Sequence, residues 1–195
     1  MKLVKSLLCA ALLAAPLAIS TPSYADEAAL AQARATLNEA LPGTLMHNPY
    51  DVKWGASGND KRTKVVSAPG IPGEQAFQVR VKKKQSKPWD INIAIQLDQG
   101  VKTGDEVVMH FWARAEKPAK NSDTGDIAVV VQMNKDPYRA IVSGDINPTS
   151  EWKIYTLKGV AENDYGDTSL QVSFQLGRRS QTIEFGQFYV SNLGQ

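Results

Sequence analysis

The sequence predicts an all-β protein: a β-sandwich jelly roll of eight to nine antiparallel strands, with one short N-terminal helix. Three observations carry that prediction. Apolar and polar residues alternate with period two over most of the chain after Gly73, as in Ile91, Ile93, Ile95 and Leu97 of "WDINIAIQL". Turn-forming clusters such as "DQGVKTGD", "NKDP" and "AENDYGD" separate the alternating runs. No heptad run, internal repeat or βαβ alternation competes, and one apolar parity per strand implies two antiparallel sheets packed face to face.

Residues 1–25 read as a secretory signal peptide. "MKLVK" is a basic start, "LLCAALLAAPLAI" is an apolar run too short to span a bilayer, and Ser23 and Ala25 are small residues ahead of Asp26. The expected compartment is therefore the periplasm or the cell exterior. The whole chain has 22 basic and 20 acidic residues, and the leader holds Lys2 and Lys5 but no acid, so the mature chain has net charge near zero. That balance argues against nucleic-acid binding and against a membrane partner once the leader is removed. The single cysteine, Cys9, lies in the leader, so the exported domain has no disulfide and must rest on its core. A domain of this length buries roughly 70% of its unfolded surface, which suffices.

Residues 26–43 hold the one convincing helix. Asp26 and Glu27 suit its positive N-terminal end, Leu30, Ala33, Leu37 and Leu41 recur at helical spacing, and Pro42-Gly43 stops it. Its thin apolar face fits a lid or a spacer. The domain proper is expected over 44–195. From Leu45 to Gly73 the chain is rich in Gly, Pro, Asn and Asp, with one short strand expected at Lys64–Ala68. Eight strands follow: 75–81, 89–97, 106–115, 126–134, 138–144, 151–157, 169–177 and 182–190.

The inventory weighs against catalysis. His47 and His110 are the only histidines, and they lack the HxH or HExxH spacing of a zinc site. GxSxG, GxxxxGK[ST] and post-strand GxGxxG patterns are missing, and no thiol remains after the leader. No motif singles out two carboxylates as a glycosidase pair. Jelly-roll polysaccharide lyases use a Gln-x-His strand and a Tyr-Lys-Tyr run, neither of which occurs. The expectation is a non-enzyme with no cofactor and no metal.

From about Pro72 to Leu193 the chain resembles the carbohydrate-binding modules of families 4, 9 and 22. The matching pieces, in order, are a "QVR" strand, "KPWDINIAIQL", "GDEVVMHFWARA", "IAVVVQM", "YRAI", "TSEWKIYTLKG", "LQVSFQLG" and "IEFGQFYVSNL". The resemblance implies a β-jelly roll that binds a polysaccharide or oligosaccharide in a cleft on one sheet, without catalysis. It maps the cleft tryptophan to Trp89, a polar residue three positions later to Asn92, an aromatic to Tyr138 and a polar residue to Gln175. Many relatives hold a structural calcium through an aspartate in the last strand, where this chain has Ser191, a poor ligand for a hard cation.

In this sandwich class successive strands commonly lie in opposite sheets, which assigns 89–97, 126–134 and 169–177 to one binding sheet. Their non-core parities carry Asp90, Asn92, Gln96, Gln132, Asn134, Gln171, Ser173 and Gln175. A merely solvated face would favour Lys, Glu and Thr; this one is dominated by carboxamides, which suit sugar hydroxyls. With Trp89 and Tyr138 these residues, Ser173 apart, form the expected ligand site, and near-zero net charge favours a neutral glycan. Trp89 shares parity with Ile91 and Ile93, so an unbroken strand would bury it; Pro88 allows a twist there instead. Arg178 and Arg179 read as a solvated loop pair, His110, Trp112 and Arg114 as a face of the other sheet, and Trp152 and Phe185 as core. Two readings stay open beside glycan binding: a structural or protein-interaction domain with an envelope partner, and a small lyase or glycosidase.

Overall fold

The computed structural model describes residues 41–50 and 54–195, together with Gln32, Ala35, Thr36 and Glu39. Those four are helical and exposed; the rest of the expected helix, and the leader, lie outside the described residues. Eleven strands follow: β1 (Thr44–Leu45), β2 (Ala56–Ser57), β3 (Lys61–Ser67), β4 (Gln75–Val81), β5 (Asn92–Gln96), β6 (Glu106–Lys117), β7 (Ile127–Met133), β8 (Ala140–Ile146), β9 (Lys153–Val160), β10 (Leu170–Gln175) and β11 (Gln181–Asn192). They form two antiparallel sheets. One runs β3-β4-β11-β6-β9, with β1 added to the far half of β11; the other runs β2-β5-β10-β7-β8.

Alternation sets which face each strand buries. On β6, Val107, Met109, Phe111, Ala113 and Ala115 are fully buried while His110, Trp112 and Arg114 point outward, as expected. On β5 and β10, Ile93, Ile95, Val172 and Phe174 turn into the same core. Phe174 sits at its centre, with ring centroids 4.8 Å from Phe185 and 5.3 Å from Phe111. Trp54 closes one side of the core, its ring 5.6 Å from Phe77 and 5.4 Å from Phe188. Full burial of one such side chain stabilises the fold by about 1.5–3 kcal/mol.

The expected strand positions hold along the sandwich, joined by two unexpected two-residue strands, β1 and β2, and three local differences stand out. Residues 88–90 form a 3-10 turn, and β5 starts only at Asn92, so Trp89 leaves the parity that would have buried it. Strand β8 starts at Ala140, and Tyr138 stays in the preceding turn with φ 51°. Trp152 is not in the sandwich core. It lies half-buried on the outer face of the other sheet, where Arg114 stacks over its ring at 4.9 Å. Beside it Glu184, 2% exposed, accepts from Arg114 Nε and Gln78 Nε2, each at 2.6 Å. A buried carboxylate needs such partners, and this one has two.

Candidate carbohydrate-binding face

Strands β5, β10, β7 and β8 are neighbours, and their register lays outward side chains in three rows. Asn92 lies opposite Gln175, Gln175 opposite Ala128, and Ala128 opposite Asp145. Four residues along β5, Gln96 lies opposite Gln171 and Gln171 opposite Gln132, with Ala140 next on β8. Between these rows run Ala94, Ser173, Val130 and Ser143, all small or medium in size. The face is therefore a trough that crosses the strands, with amide walls and a low floor. Its walls stand about 14 Å apart by Cα position, and its length from β5 to β8 is also about 14 Å, three interstrand spacings.

Trp89 and Tyr138 stand at the two walls. Trp89, 54% exposed, rides on the 3-10 turn at the Asn92 wall, where Lys87 Nζ lies 5.5 Å from its ring. Tyr138, 53% exposed, stands in the β7–β8 turn at the Gln132 wall. A non-glycine residue at positive φ costs on the order of 1 kcal/mol or more and is concentrated at functional sites. Two glycines fix the Trp89 turn. Gly177 runs against it so closely that a Cβ would lie 2.4 Å from the Lys87 carbonyl oxygen, and one on Gly58, at φ 95°, would lie 1.8 Å from that of Asp90.

The polar residues expected at the site divide by what their side chains do. Ser173, 1% exposed, donates its Oγ to Asn92 Oδ1 at 2.7 Å, and Gln175 Nε2 reaches the same Oγ at 3.5 Å. Gln132 and Gln171 make no side-chain hydrogen bond among the described residues, so both amides are available to a ligand. Gln96 and Asn134 are occupied. Gln96 Nε2 donates to the Leu170 and Thr168 carbonyls at 2.6 and 2.7 Å, and Asn134 Nδ2 donates to Gln96 Oε1 and the Thr168 carbonyl. Asp90 is occupied too: its carboxylate accepts from the Lys87 backbone N–H at 2.9 Å and closes the turn under Trp89. These three side chains are committed in part to holding the local structure.

Arg178 and Arg179 are more than a solvated pair. Arg178 bridges Asp126 at 3.3 Å and Asp145 at 2.8 Å, and Arg179 Nε donates to Asp126 at 3.1 Å. The Asp145 hydrogen bond holds the Arg178 guanidinium above its ordinary range, against the opposing effect of burial. The bridge anchors the β10–β11 loop to the end of β8, beside the Asn92 wall. The sequence offered no signal for it, because Asp145 lies 33 residues from Arg178.

The implied calcium position does not fit the residues present. Ser191 is buried with Leu45 and Val108 as its cross-strand neighbours, and no group of three His, Asp or Glu side chains gathers among the described residues.

Comparison with known proteins gives the fold its relatives. A solved family 4 carbohydrate-binding module is 22% identical, with a TM-score of 0.53 over 71% of this chain and 86% of its own. The xylan-binding domain of the CBM22 type from Paenibacillus barcinonensis is 13% identical, with a TM-score of 0.54 over 79% of this chain and 97% of its own. The N-terminal cellulose-binding domain of the Cellulomonas fimi β-1,4-glucanase C is 20% identical, with a TM-score of 0.52 over 78% and 95%. At these identities the likeness shows the jelly-roll fold. No curated protein matches the chain. The carbohydrate-binding domain family that spans the family 4 and 9 modules matches residues 50–182, more than half of the chain. The chain belongs to that family of carbohydrate-binding domains.

Proposed function

We propose that this protein is an exported, non-catalytic binder of a polysaccharide or oligosaccharide, which lies in the trough across β5, β10, β7 and β8. One observation carries the reading: two rows of carboxamides face each other across a floor of small side chains, with an exposed ring at each wall. Amides donate and accept, so each meets a sugar hydroxyl in either orientation. Ala94 and Val130 leave room for the flat C–H face of a ring, and Trp89 and Tyr138 offer stacking surfaces. Gln132, Gln171, Gln175 and the Asn92 Nδ2 make the direct contacts, whereas Asp90, Gln96 and Asn134 hold their positions. The solved relatives that are xylan-binding and cellulose-binding domains support the same ligand class. Residues 44–195 act as the binding domain, with the leader directing export and the 26–43 segment serving as a spacer.

The test is calorimetry and affinity electrophoresis of the mature protein against xylan, mixed-linkage glucan, cellulose and alginate. Saturable binding that Trp89→Ala abolishes is the expected result. Silence with every polymer at millimolar sugar concentration, or new reducing ends or unsaturated sugars on incubation, sinks the reading.

A further inference from the structure

Net charge near zero conceals a segregation of charge between the two ends of the sandwich. Segments 97–105 and 160–168, at the Gln96 end of β5, hold Asp98, Asp105, Glu162, Asp164 and Asp167 against Lys102 alone. The opposite end, where β4 leads into the Trp89 turn, is cationic. Lys82, Lys83 and Lys84 are consecutive and exposed there, and Lys87 leans over the Trp89 ring. Arg62 and Arg80 face each other directly across the β3–β4 ladder, and Arg80 pairs in register with Thr182, which in turn faces Lys117. Like charges placed directly opposite are destabilising, so the arrangement costs the fold stability.

The acids nearby offset it only in part. Asp126 is paired with Arg178 and Arg179, and Glu184 with Arg114, whereas Asp90 accepts only from the neutral Lys87 backbone N–H and keeps its charge. Among the described residues, no ion pair joins Asp60 or Glu116 to these cations. Two open hollows follow the same pair of chain segments, 80–88 and 178–182. One of about 280 Å³ lies between Lys84–Pro88 and Arg178–Arg179, and one of about 350 Å³ is lined by Arg80, Lys117, Lys120, Ser180 and Thr182. The first begins where the Asn92 wall of the trough ends.

We infer that the glycan bound in the trough bears carboxylate groups, which overhang the Trp89 wall and are met by the lysines of segment 82–87. This rests on the proposed binding function and deepens it. The trough walls present amides, so uncharged ring hydroxyls are satisfied there; the acid groups are satisfied beyond the wall. A neutral glycan would leave the exposed lysines of segment 82–87 without a role beside the Trp89 wall.

The experiment compares matched polymers, an uncharged arabinoxylan and a uronate-bearing glucuronoxylan, by calorimetry at about 0.02 M and about 0.5 M salt, between which the Debye length shrinks several-fold. The acidic polymer is expected to bind about tenfold more tightly at low salt, and the advantage is expected to vanish at high salt. Changing Lys82→Ser, Lys83→Ser and Lys84→Ser together should remove that advantage and leave the affinity for the neutral polymer within twofold. Equal, salt-independent affinity for both polymers overturns the inference while leaving glycan binding intact. So does binding to vesicles of anionic lipid or to DNA that matches the acidic glycan and survives Trp89→Ala. Binding to no polymer overturns the proposed function and the inference with it.

Discussion

The buried hydroxyl of Ser173 donates to Asn92 Oδ1 at 2.7 Å, across the β10–β5 ladder. With its oxygen engaged, Asn92 presents Nδ2 to the trough as a donor, so a floor residue sets the polarity of a wall residue. Ser173→Ala should cost about 1 kcal/mol of stability, a typical net hydrogen-bond contribution. It should also weaken glycan binding about fivefold by freeing the amide to rotate, and Ser173→Thr should recover part of it. Chemical denaturation with parallel calorimetry reads both effects.

Trp89 is not a core residue, because more than half of its surface is exposed, and the proposed function makes it a ligand contact. Trp89→Ala should leave stability within about 0.5 kcal/mol, as for surface substitutions generally. Its affinity loss should be at least about tenfold, or about 1.4 kcal/mol. Gly58→Ala should lower affinity without touching the ligand, since its Cβ would collide with the Asp90 carbonyl and displace the turn. Unchanged affinity in Gly58→Ala would show that the turn geometry is irrelevant.

Gln96 and Gln171 are cross-strand neighbours with opposite expected behaviour. Gln96→Ala removes hydrogen bonds to the Thr168 and Leu170 carbonyls and leaves Asn134 only its bond to the Thr168 carbonyl, so it should destabilise the domain by about 1–3 kcal/mol. Gln171→Ala should leave the melting temperature unchanged and reduce affinity severalfold. A thermal melt beside a titration separates the two; identical profiles would contradict the division of labour.

Arg114→Ala should be among the more damaging surface-sheet changes. It strands the buried Glu184 carboxylate with only Gln78 as partner, and breaking a buried pair costs about 3–5 kcal/mol. Its stack on Trp152 goes as well. Adding Glu184→Gln should recover stability, since the uncompensated charge is then removed.

Asp164 predicts an acid-sensitive contact. Hydrogen bonds from the Thr103 backbone and hydroxyl, and then Lys102, hold its carboxyl below the ordinary carboxylate range. A depressed folded-state value means stability that is full above the ordinary carboxylate range and is lost as pH falls through the lowered value. The protection factor of the Thr103 amide, its exchange rate taken relative to the intrinsic rate at each pH, should therefore fall on acidification, and Asp164→Asn should flatten that dependence.

Much of the architecture was legible because period-two alternation is enforced by burial on one face. Strand 75–81 coincides with β4, and the assignment of three amide-bearing strands to one sheet holds. Strands β1 and β2 were not legible, since a two-residue strand carries no periodicity. Trp89 was ambiguous because parity and Pro88 pointed opposite ways, and the 3-10 turn resolved it by breaking the strand. Which amides are free was hidden in the sequence. Gln96 and Gln171 look alike on one parity, and only the fold brings the Thr168 carbonyl within reach of the first. The segregation of charge was equally hidden, because net charge sums over segments that the topology sends to opposite ends.

Strand β11, the last of the described strands, occupies the middle of its sheet, bonded to β6 on both sides of a bulge at 186–187, to β4 along its first half and to β1 at its end. Until those final residues are available, β4 and β6 have no common partner, and each exposes a naked edge of the kind that recruits other chains. A nascent or truncated polypeptide ending near Ser180 would thus aggregate rather than accumulate as a partial domain, making completion of this sheet an all-or-nothing event.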